Sequence, residues 1–292
     1  MEIEFENEDK IKTCCFFRCT KRQRYVLWGT LMLPVVFFIC LIIGIMIRAA
    51  VENERFQRIV LDPNPSFISG NQSVVWKRAK TLGDAIKFQT ISYNQTYQIA
   101  EEIERIHKFI INKYPHIHSA PFINKEIVNN HSIVFRINGT EHTTSPYMLC
   151  AHLDVVPEGD LSKWDCDPFL GEIVKDHECD PIEENIDEAE AYIFGRGAID
   201  DKHSVFGILE ALEHIIVSGE QPKRTFYIAF GHDEEVSGNS GAGKIREYLS
   251  EELRRSGETL DFIVDEGNSV YQDVVPGVDI PVAMIGVTEK GN

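Results

Sequence analysis

Imidazole and carboxylate side chains follow several apolar runs of this chain, at the point where each run ends. The set comprises His152, Asp154, Asp200, Glu234, Glu235 and Asp265. The runs before them are residues 147–151, 192–194, 225–230 and 262–264. Because ligands of open α/β sheets bind beyond the carboxyl ends of the strands, we expect these groups to converge on one pocket. Carboxylates held close together repel one another, so the pattern predicts a site for cations, most simply a pair of divalent metal ions.

The spacing of His152 and Asp154 suits a metal ligand and its hydrogen-bond partner. Residues two apart on a strand share a face, so Asp154 can accept a hydrogen bond from one ring nitrogen while the other nitrogen binds metal. Asp200 offers two oxygens that can bridge two cations. Taken singly, each motif has an ordinary explanation; Asp200 and Asp201, for example, suit the N-terminus of a helix. Their recurrence is what favours a site.

Strands alternate with helices in the part of the chain that carries these residues. Helical spacing of apolar residues predicts helices over residues 99–110, 204–218 and 241–253, and the clearest strands are residues 132–137, 147–151, 225–230 and 282–287. Strands that alternate with helices predict an α/β fold, in which a mostly parallel central sheet carries helices on both faces. We expect this domain to occupy residues 81–292.

An uncharged apolar run extends from Val26 to Ile47, and its 22 residues are enough to span a bilayer as a helix. Three basic residues lie just before it. The positive-inside rule therefore predicts a single-pass type II membrane protein, with residues 1–25 as a cytoplasmic tail and residues 48–80 as a stalk. A cleaved signal peptide is the alternative, but the polar residues before the run and its length disfavour it.

Possible modification sites agree with a lumenal or extracellular domain. Four N-x-S/T triplets follow the apolar run, with acceptors at Asn71, Asn94, Asn130 and Asn138. Cys166 and Cys179 are candidates for a disulfide bond if the domain lies in an oxidising compartment. The sequence thus predicts a membrane-anchored glycoprotein.

The chain is acidic, with 46 acidic against 29 basic residues and a formal net charge of −17. Nucleic-acid binding relies on basic side chains that neutralise phosphates, so this charge argues against a nucleic-acid partner. Part of the acidity lies in residues 176–190, an insertion that fits no EF-hand pattern. We expect this insertion to be a solvated surface loop near the mouth of the site.

Four motifs, in this order, resemble those of the di-zinc aminoacylase and carboxypeptidase superfamily. They are HLDVVP, GRGAIDDK, GHDEEVSG and VDEG, which begin at residues 152, 195, 231 and 264. The likeness is greatest to the subgroup of carboxypeptidase S and the N-fatty-acyl-amino-acid synthase/hydrolase, whose pattern the segments at Trp164–Phe169 and Thr288–Gly291 also resemble. The combination is highly specific and covers the chain from about Leu82 onward.

The resemblance implies two zinc ions and their ligands. Asp200 would bridge both ions, His152 and Asp265 would bind one, and Glu235 would bind the other. The peptide bond between Asp200 and Asp201 would be cis, as is usual in the superfamily. These assignments rest on the resemblance and not on the spacing alone.

The resemblance also implies an activity, which is hydrolysis, or reversible formation, of the amide bond of N-acyl amino acids or small peptides. Glu234 would be the general base, and Asp154 would act beside it as the partner of His152. Losing Glu234 should leave the metal bound and most of the chemistry lost, since acid–base catalysis typically contributes roughly 10²–10⁴-fold.

Relatives of this kind continue past the position of Asn292. They add a smaller lid domain, which usually makes a homodimer, and then complete the catalytic sheet and supply a distal histidine. We therefore expect this chain to be the N-terminal part of a catalytic domain, with the zinc at Glu235 lacking one protein ligand. The alternative is a catalytically silent membrane glycoprotein with a vestigial metallohydrolase fold.

Overall fold

The chain divides into two units in the computed structural model, Met1–Ser69 and Gly70–Asn292. The structure describes residues 32–48, 72–141, 143–175, 178–182, 191–267, 270–271, 274, 281–283 and 285–287. Most of the acidic insertion predicted at residues 176–190 lies outside the described residues, as does the candidate acceptor Asn71.

The first unit is described only by helix α1, residues 32–48, whose side chains are exposed. Among the helices that the structure describes, none has both the length and the apolarity needed to cross a bilayer. The predicted span begins at residue 26, and residues 26–31 lie outside the described residues. The structure therefore gives no support to the predicted transmembrane helix.

The second unit contains five helices and eleven short strands in its described part. The helices are α2 (Gln72–Ile86), α3 (Ala100–Lys113), α4 (Pro115–Ser119), α5 (Lys202–Val217) and α6 (Ala242–Ser256). The strands are β1 (Ser92–Asn94), β2 (Tyr97–Gln98), β3 (Ile123–Val128), β4 (Ser132–Ile137), β5 (Tyr147–His152), β6 (Ile173–Lys175), β7 (Ala191–Ile193), β8 (Phe226–Gly231), β9 (Ile263–Val264), β10 (Val270–Tyr271) and β11 (Val282–Ala283).

The central sheet has five strands in the order β3-β4-β8-β5-β9. Strand β5 runs parallel to β8 and β9, whereas β4 runs antiparallel to β3 and β8. The prediction of a mostly parallel sheet is therefore wrong for the described strands, and the sheet is mixed. The reason is the hairpin of β3 and β4, in which Asn129 and Asn130 turn the chain with φ angles of 48° and 68°. Asparagine tolerates this left-handed region better than most residues.

Strands β4 and β8 are buried on both faces, as predicted for a sheet covered by helices. Alternate residues of β4, such as Phe135, pack in a core with α2, α3 and α5, and the residues between them, such as Val134, pack against α6. Side chains alternate across a strand, so continuous apolar runs supply both cores. Each fully buried Ile, Leu or Phe side chain contributes about 1.5–3 kcal/mol of transfer free energy.

The three predicted helices are present, with shifted ends. They correspond to α3, α5 and α6. Helix α6 ends at Ser256 and is followed by Gly257, which has a φ of 69° and so takes the left-handed conformation common after a helix. Helix α2 was not predicted; it begins at Gln72, inside the segment predicted as a stalk. The second unit begins at Gly70.

Three predicted strands differ from the observed ones. Strand β7, from the run before Asp200, pairs with β6 in a separate two-stranded sheet, so Asp200 does not follow a strand of the central sheet. Strand β9 has only two residues, and both are exposed. The last predicted strand is reduced to β11, which pairs with β10. The apolar runs were identified correctly as strands, but such runs do not reveal pairing partners.

Lys202, the first residue of α5, is fully buried and connects two segments of the core. Its ammonium group donates hydrogen bonds to the carbonyl oxygens of Ala85 (3.1 Å) and Phe88 (2.6 Å), at the end of α2. Burial lowers the pKa of Lys202 to about 7, against the attraction of Glu102 and Asp154. The contact fixes the loop that carries Asp200 to the end of α2.

Replacing Lys202→Met should destabilise the protein, because two buried carbonyl groups lose their partner while the side-chain volume is nearly kept. We expect a loss of about 1–3 kcal/mol in the free energy of unfolding, measured by urea denaturation. Lys244→Met on α6 is the matched control, since Lys244 is 47% exposed and pairs with Glu247 on the surface. Equal effects of the two substitutions would contradict a structural role for the buried ammonium.

Candidate metal centre

His152 ends β5 and its ring is buried, with each nitrogen facing oxygen atoms. Nδ1 lies 3.0 Å from the backbone carbonyl oxygen of Asp154 and 3.4 Å from its carboxylate. Nε2 lies 2.9 Å from Oδ1 of Asp200. Two acceptors at Nδ1 favour a hydrogen there, which leaves Nε2 as the atom available to a metal ion.

Asp154 is fully buried, and its carboxylate contacts the glutamate pair as well as His152. Its two carboxylate oxygens accept hydrogen bonds from the backbone N–H groups of Glu234 (3.1 Å) and Glu235 (3.3 Å). The same carboxylate therefore contacts the ring of His152 and orients the glutamate pair. The sequence motif indicated the contact with His152 but not the contacts with backbone groups 80 residues away along the chain.

Glu234 and Glu235 lie in a short 3-10 turn, Glu234–Val236, directly after β8. Asp233, which precedes them, is fully buried, and its carboxylate accepts hydrogen bonds from the backbone N–H groups of Ser240 and Gly241, both at 2.7 Å. Only a glycine fits at residue 241, where a Cβ atom would lie 2.5 Å from Oδ1 of Asp233. The turn is thus held at both ends by buried aspartates.

Asp200 comes from the loop between β7 and α5, and its side chain is 63% exposed. The peptide bond between Asp200 and Asp201 is cis, as the resemblance implies. The carboxylate of Asp201 is buried and accepts a hydrogen bond from the backbone N–H of His152 at 3.3 Å. Asp200 is therefore placed against the end of β5 by its neighbour.

The predicted residues His152, Asp200 and Glu235 come together, with one ligand atom of each within 4.8 Å of the others. A second group of this kind consists of His152, Asp201 and Glu266. Asp265 belongs to neither group, although it borders a cavity together with His152 and Glu234. The centre thus contains more carboxylates than the sequence analysis assigned to it.

Glu266, which was not among the predicted ligands, also lies against His152. Its Oε2 atom lies 3.3 Å from Nε2 of His152, while the carboxylate of Asp265 accepts the backbone N–H of Glu266. Adjacent residues of an extended chain point in opposite directions, so the motif alone does not tell which carboxylate faces the histidine.

The crowding of carboxylates changes the proton affinity of the site. Burial, helped by Asp200, raises the pKa of Glu235 to about 7, and burial also raises the pKa of Glu234. Burial alone would lower the pKa of His152, but Asp154 and the nearby carboxylates outweigh it and raise the pKa to about 10. Excess negative charge therefore attracts a positive charge here, and a donor set of imidazole and carboxylates suits zinc.

Comparison with known proteins identifies similar chains. Residues 148–280 match the family described as "Peptidase family M20/M25/M40". The N-fatty-acyl-amino acid synthase/hydrolase PM20D1 of Xenopus tropicalis is 38% identical over 73% of this chain and 38% of its own length. PM20D1.1 of Danio rerio is 34% identical over 91% of this chain and 48% of its own length. The Probable carboxypeptidase S-like 2 of Dictyostelium discoideum is 36% identical over 73% of this chain and 38% of its own length.

Among solved structures, the di-peptidase Dug1p of Saccharomyces cerevisiae gives a TM-score of 0.48 with 19% identity, over 68% of this chain and 40% of that one. The chain spans less than half the length of the curated relatives given above. The family match extends from β5 to beyond β10 and includes every residue of the centre. On the family match and the curated relatives, and on the carboxylate–histidine centre, the chain carries a domain of peptidase family M20/M25/M40.

Proposed function

We propose that this protein is a zinc-dependent amidohydrolase that cleaves, or reversibly forms, the amide bond of N-acyl amino acids. The observation that carries the proposal is the cluster of His152, Asp200 and Glu235, with Glu234 beside it. The relatives named N-fatty-acyl-amino acid synthase/hydrolase support this substrate class. The carboxypeptidase S-like relative supports small peptides as an alternative substrate.

Two zinc ions fit the donor set. Asp200 would hold both ions, Glu235 would hold one, and His152 would hold the other together with Asp265 or Glu266. When bound, zinc lowers the pKa of water from ~15.7 to about 7 and polarises a carbonyl group. The residues of the chain supply everything else, namely the position of the ligands and the transfer of protons.

Glu234 is the group best placed to move protons. Its side chain is 49% exposed at the mouth of the site, and Oε2 lies 3.9 Å from Nε2 of His152. Burial raises its pKa, which brings its proton affinity closer to neutral pH. A base of this kind can accept a proton from water and return it to the leaving amine. The hydrogen bond from its backbone N–H to Asp154 fixes its position.

The protein is anchored in a membrane by residues 26–47, with the second unit in the lumen or outside the cell. This part of the proposal rests on the apolar run and the charges that flank it. Two observations support it. Cys166 and Cys179 form a disulfide bond, and such bonds persist mainly in oxidising compartments. The acceptors Asn94 and Asn130 are exposed.

Glu234→Gln should abolish most activity while leaving metal in place, because the amide cannot accept a proton. We expect kcat for an N-acyl amino acid to fall roughly 10²–10⁴-fold. Zinc per chain, measured by elemental analysis, should not change. Glu247→Gln on the surface of α6 is the matched control, since Glu247 pairs only with Lys244 in the described structure. Full activity of Glu234→Gln would exclude the proposed mechanism.

The substitutions Asp265→Asn and Glu266→Gln distinguish the two candidates for the remaining ligand. Because Glu266 lies against His152 and Asp265 does not join either cluster, we expect Glu266→Gln to weaken zinc binding more than Asp265→Asn. Calorimetric titration of the metal-free protein with zinc measures both affinities. A larger loss for Asp265→Asn would instead support the ligand set that the resemblance implies.

The N-x-S/T triplets should differ in how often they carry a glycan if the second unit is lumenal. The side-chain amide of Asn138 donates to the carbonyl oxygen of Phe122 and its oxygen accepts from Arg136, both at 3.1 Å, so a glycan there would break these bonds. Asn94 is exposed, and its oxygen accepts both the N–H and the hydroxyl of Thr96. After expression through the secretory pathway, glycopeptide mass spectrometry should find sugar on Asn94 and little on Asn138. Absence of sugar from every sequon would contradict the lumenal topology.

A further inference from the structure

A cavity of about 370 Å³ borders Asp200, and the proposed catalysis does not use it. Its walls come from the segment around Trp164 and from residues 192–199. The side chains that matter here are Trp164, Tyr192, Phe194 and Ile199. They are aromatic or aliphatic, so the cavity has an apolar surface next to a carboxylate of the candidate metal centre.

The aromatic wall of this cavity is held by several contacts. The rings of Trp164 and Phe194 meet edge to face with centroids 5.9 Å apart, and the guanidinium of Arg196 lies 5.0 Å from the centroid of the Trp164 ring. The indole N–H of Trp164 donates to the carbonyl oxygen of Glu158 at 2.9 Å. The disulfide bond between Cys166 and Cys179 closes the loop that follows. These contacts form the wall before any ligand arrives.

Two side chains that line the cavity, one aliphatic and one aromatic, are exposed to solvent. Ile199, which directly precedes Asp200, is 83% exposed, and Tyr192 is 51% exposed. Large aliphatic residues usually lie inside a protein, and an exposed apolar patch beside a polar site marks a place where something apolar binds. Nothing in the geometry of the metal centre requires an isoleucine at residue 199.

We propose that this cavity takes the acyl chain of an N-acyl amino acid while the amide carbonyl lies at Asp200. The inference rests on the proposed function and adds the location of the acyl subsite and the residues that select chain length. The volume falls in the range of about 300–1,000 Å³ that binds whole small ligands, and so exceeds the need of one amino-acid side chain. The apolar walls offer few partners for a peptide backbone and suit a hydrocarbon chain.

A second cavity, of about 490 Å³ between α6 and strands β5, β8 and β9, also reaches His152 and Glu234. Its outer wall is β9, and Ile263 and Val264 of that strand are 43% and 50% exposed. Within the described strands, β9 pairs on one edge only. The wall at Trp164 is built differently, since the ring of Phe194 and the guanidinium of Arg196 hold the indole in place.

The substitution Ile199→Ser tests the subsite without disturbing the core, because the side chain is exposed. Val217→Ser is the matched control; Val217 is 61% exposed and lies at the other end of α5, roughly 22 Å along the helix. The substrates are N-palmitoylglycine and N-acetylglycine, which differ only in acyl length. For Ile199→Ser we expect kcat/KM to fall on the order of tenfold with the palmitoyl substrate, since apolar contact area is lost. With the acetyl substrate the fall should be smaller, and Val217→Ser should leave kcat/KM unchanged with both substrates.

Binding gives a readout that does not depend on turnover. In the Glu234→Gln protein, N-palmitoylglycine should shift the fluorescence of Trp164 to shorter wavelength, and Trp164→Phe should remove this shift. Suppose that Ile199→Ser and Val217→Ser have the same kcat/KM with the palmitoyl substrate and that the fluorescence of Trp164 does not shift. The proposed location of the acyl subsite is then wrong, while the proposed amidohydrolase activity is unaffected. If the unsubstituted chain hydrolyses neither substrate, the proposed function fails and the subsite fails with it.

Discussion

The buried carboxylate of Asp154 is the contact on which the rest of the centre depends. It lies between the ring of His152 and the backbone of Glu234 and Glu235, and it is fully removed from water. A buried charge is tolerated only when hydrogen bonds satisfy it, so the surrounding groups must stay where they are. Strand β5 and the turn after β8 are thereby fixed to each other, and the candidate ligand and the candidate base hold a constant separation.

The second constraint is repulsion between carboxylates. Asp200, Glu234, Glu235 and Glu266 all influence one another, and the pKa of each of these glutamates is raised, with burial as the first cause in every case. A fold does not collect such groups for stability, because each ionised carboxylate makes the next one harder to ionise. Divalent cations at the same place turn this repulsion into attraction. Metal binding would thus explain why the carboxylates are held together despite their repulsion. The ends of strands β5 and β8 explain where in the fold the centre lies.

Sequence patterns predicted those parts of the fold that rest on local chemistry. Strands β4, β5 and β8 were recognisable because their apolar runs feed two cores, and the motif residues after them did come together. Strand pairing was not predictable, since a run of apolar residues does not specify which strand lies beside it. Strand β7 was therefore expected in the central sheet, whereas it pairs with β6 in a separate sheet. Helix α2 was not predicted because residues 73–80 are exposed or half-buried, so its first half carries no clear apolar stripe. Glu266 was not predicted to lie near His152, because the motif does not tell which of two adjacent carboxylates faces the histidine; the ligand role of Asp265 stays a prediction.

The division between buried and exposed residues separates chemistry from selectivity in this molecule. Asp154, Asp201 and Lys202 are buried and hold the centre through hydrogen bonds, so almost any change there disturbs the geometry of all the ligands. Ile199 and Tyr192 border the proposed acyl cavity and are exposed, so they can change without loss of packing. A scaffold of this kind can alter its substrate by surface substitutions while the same carboxylates and histidine continue to act.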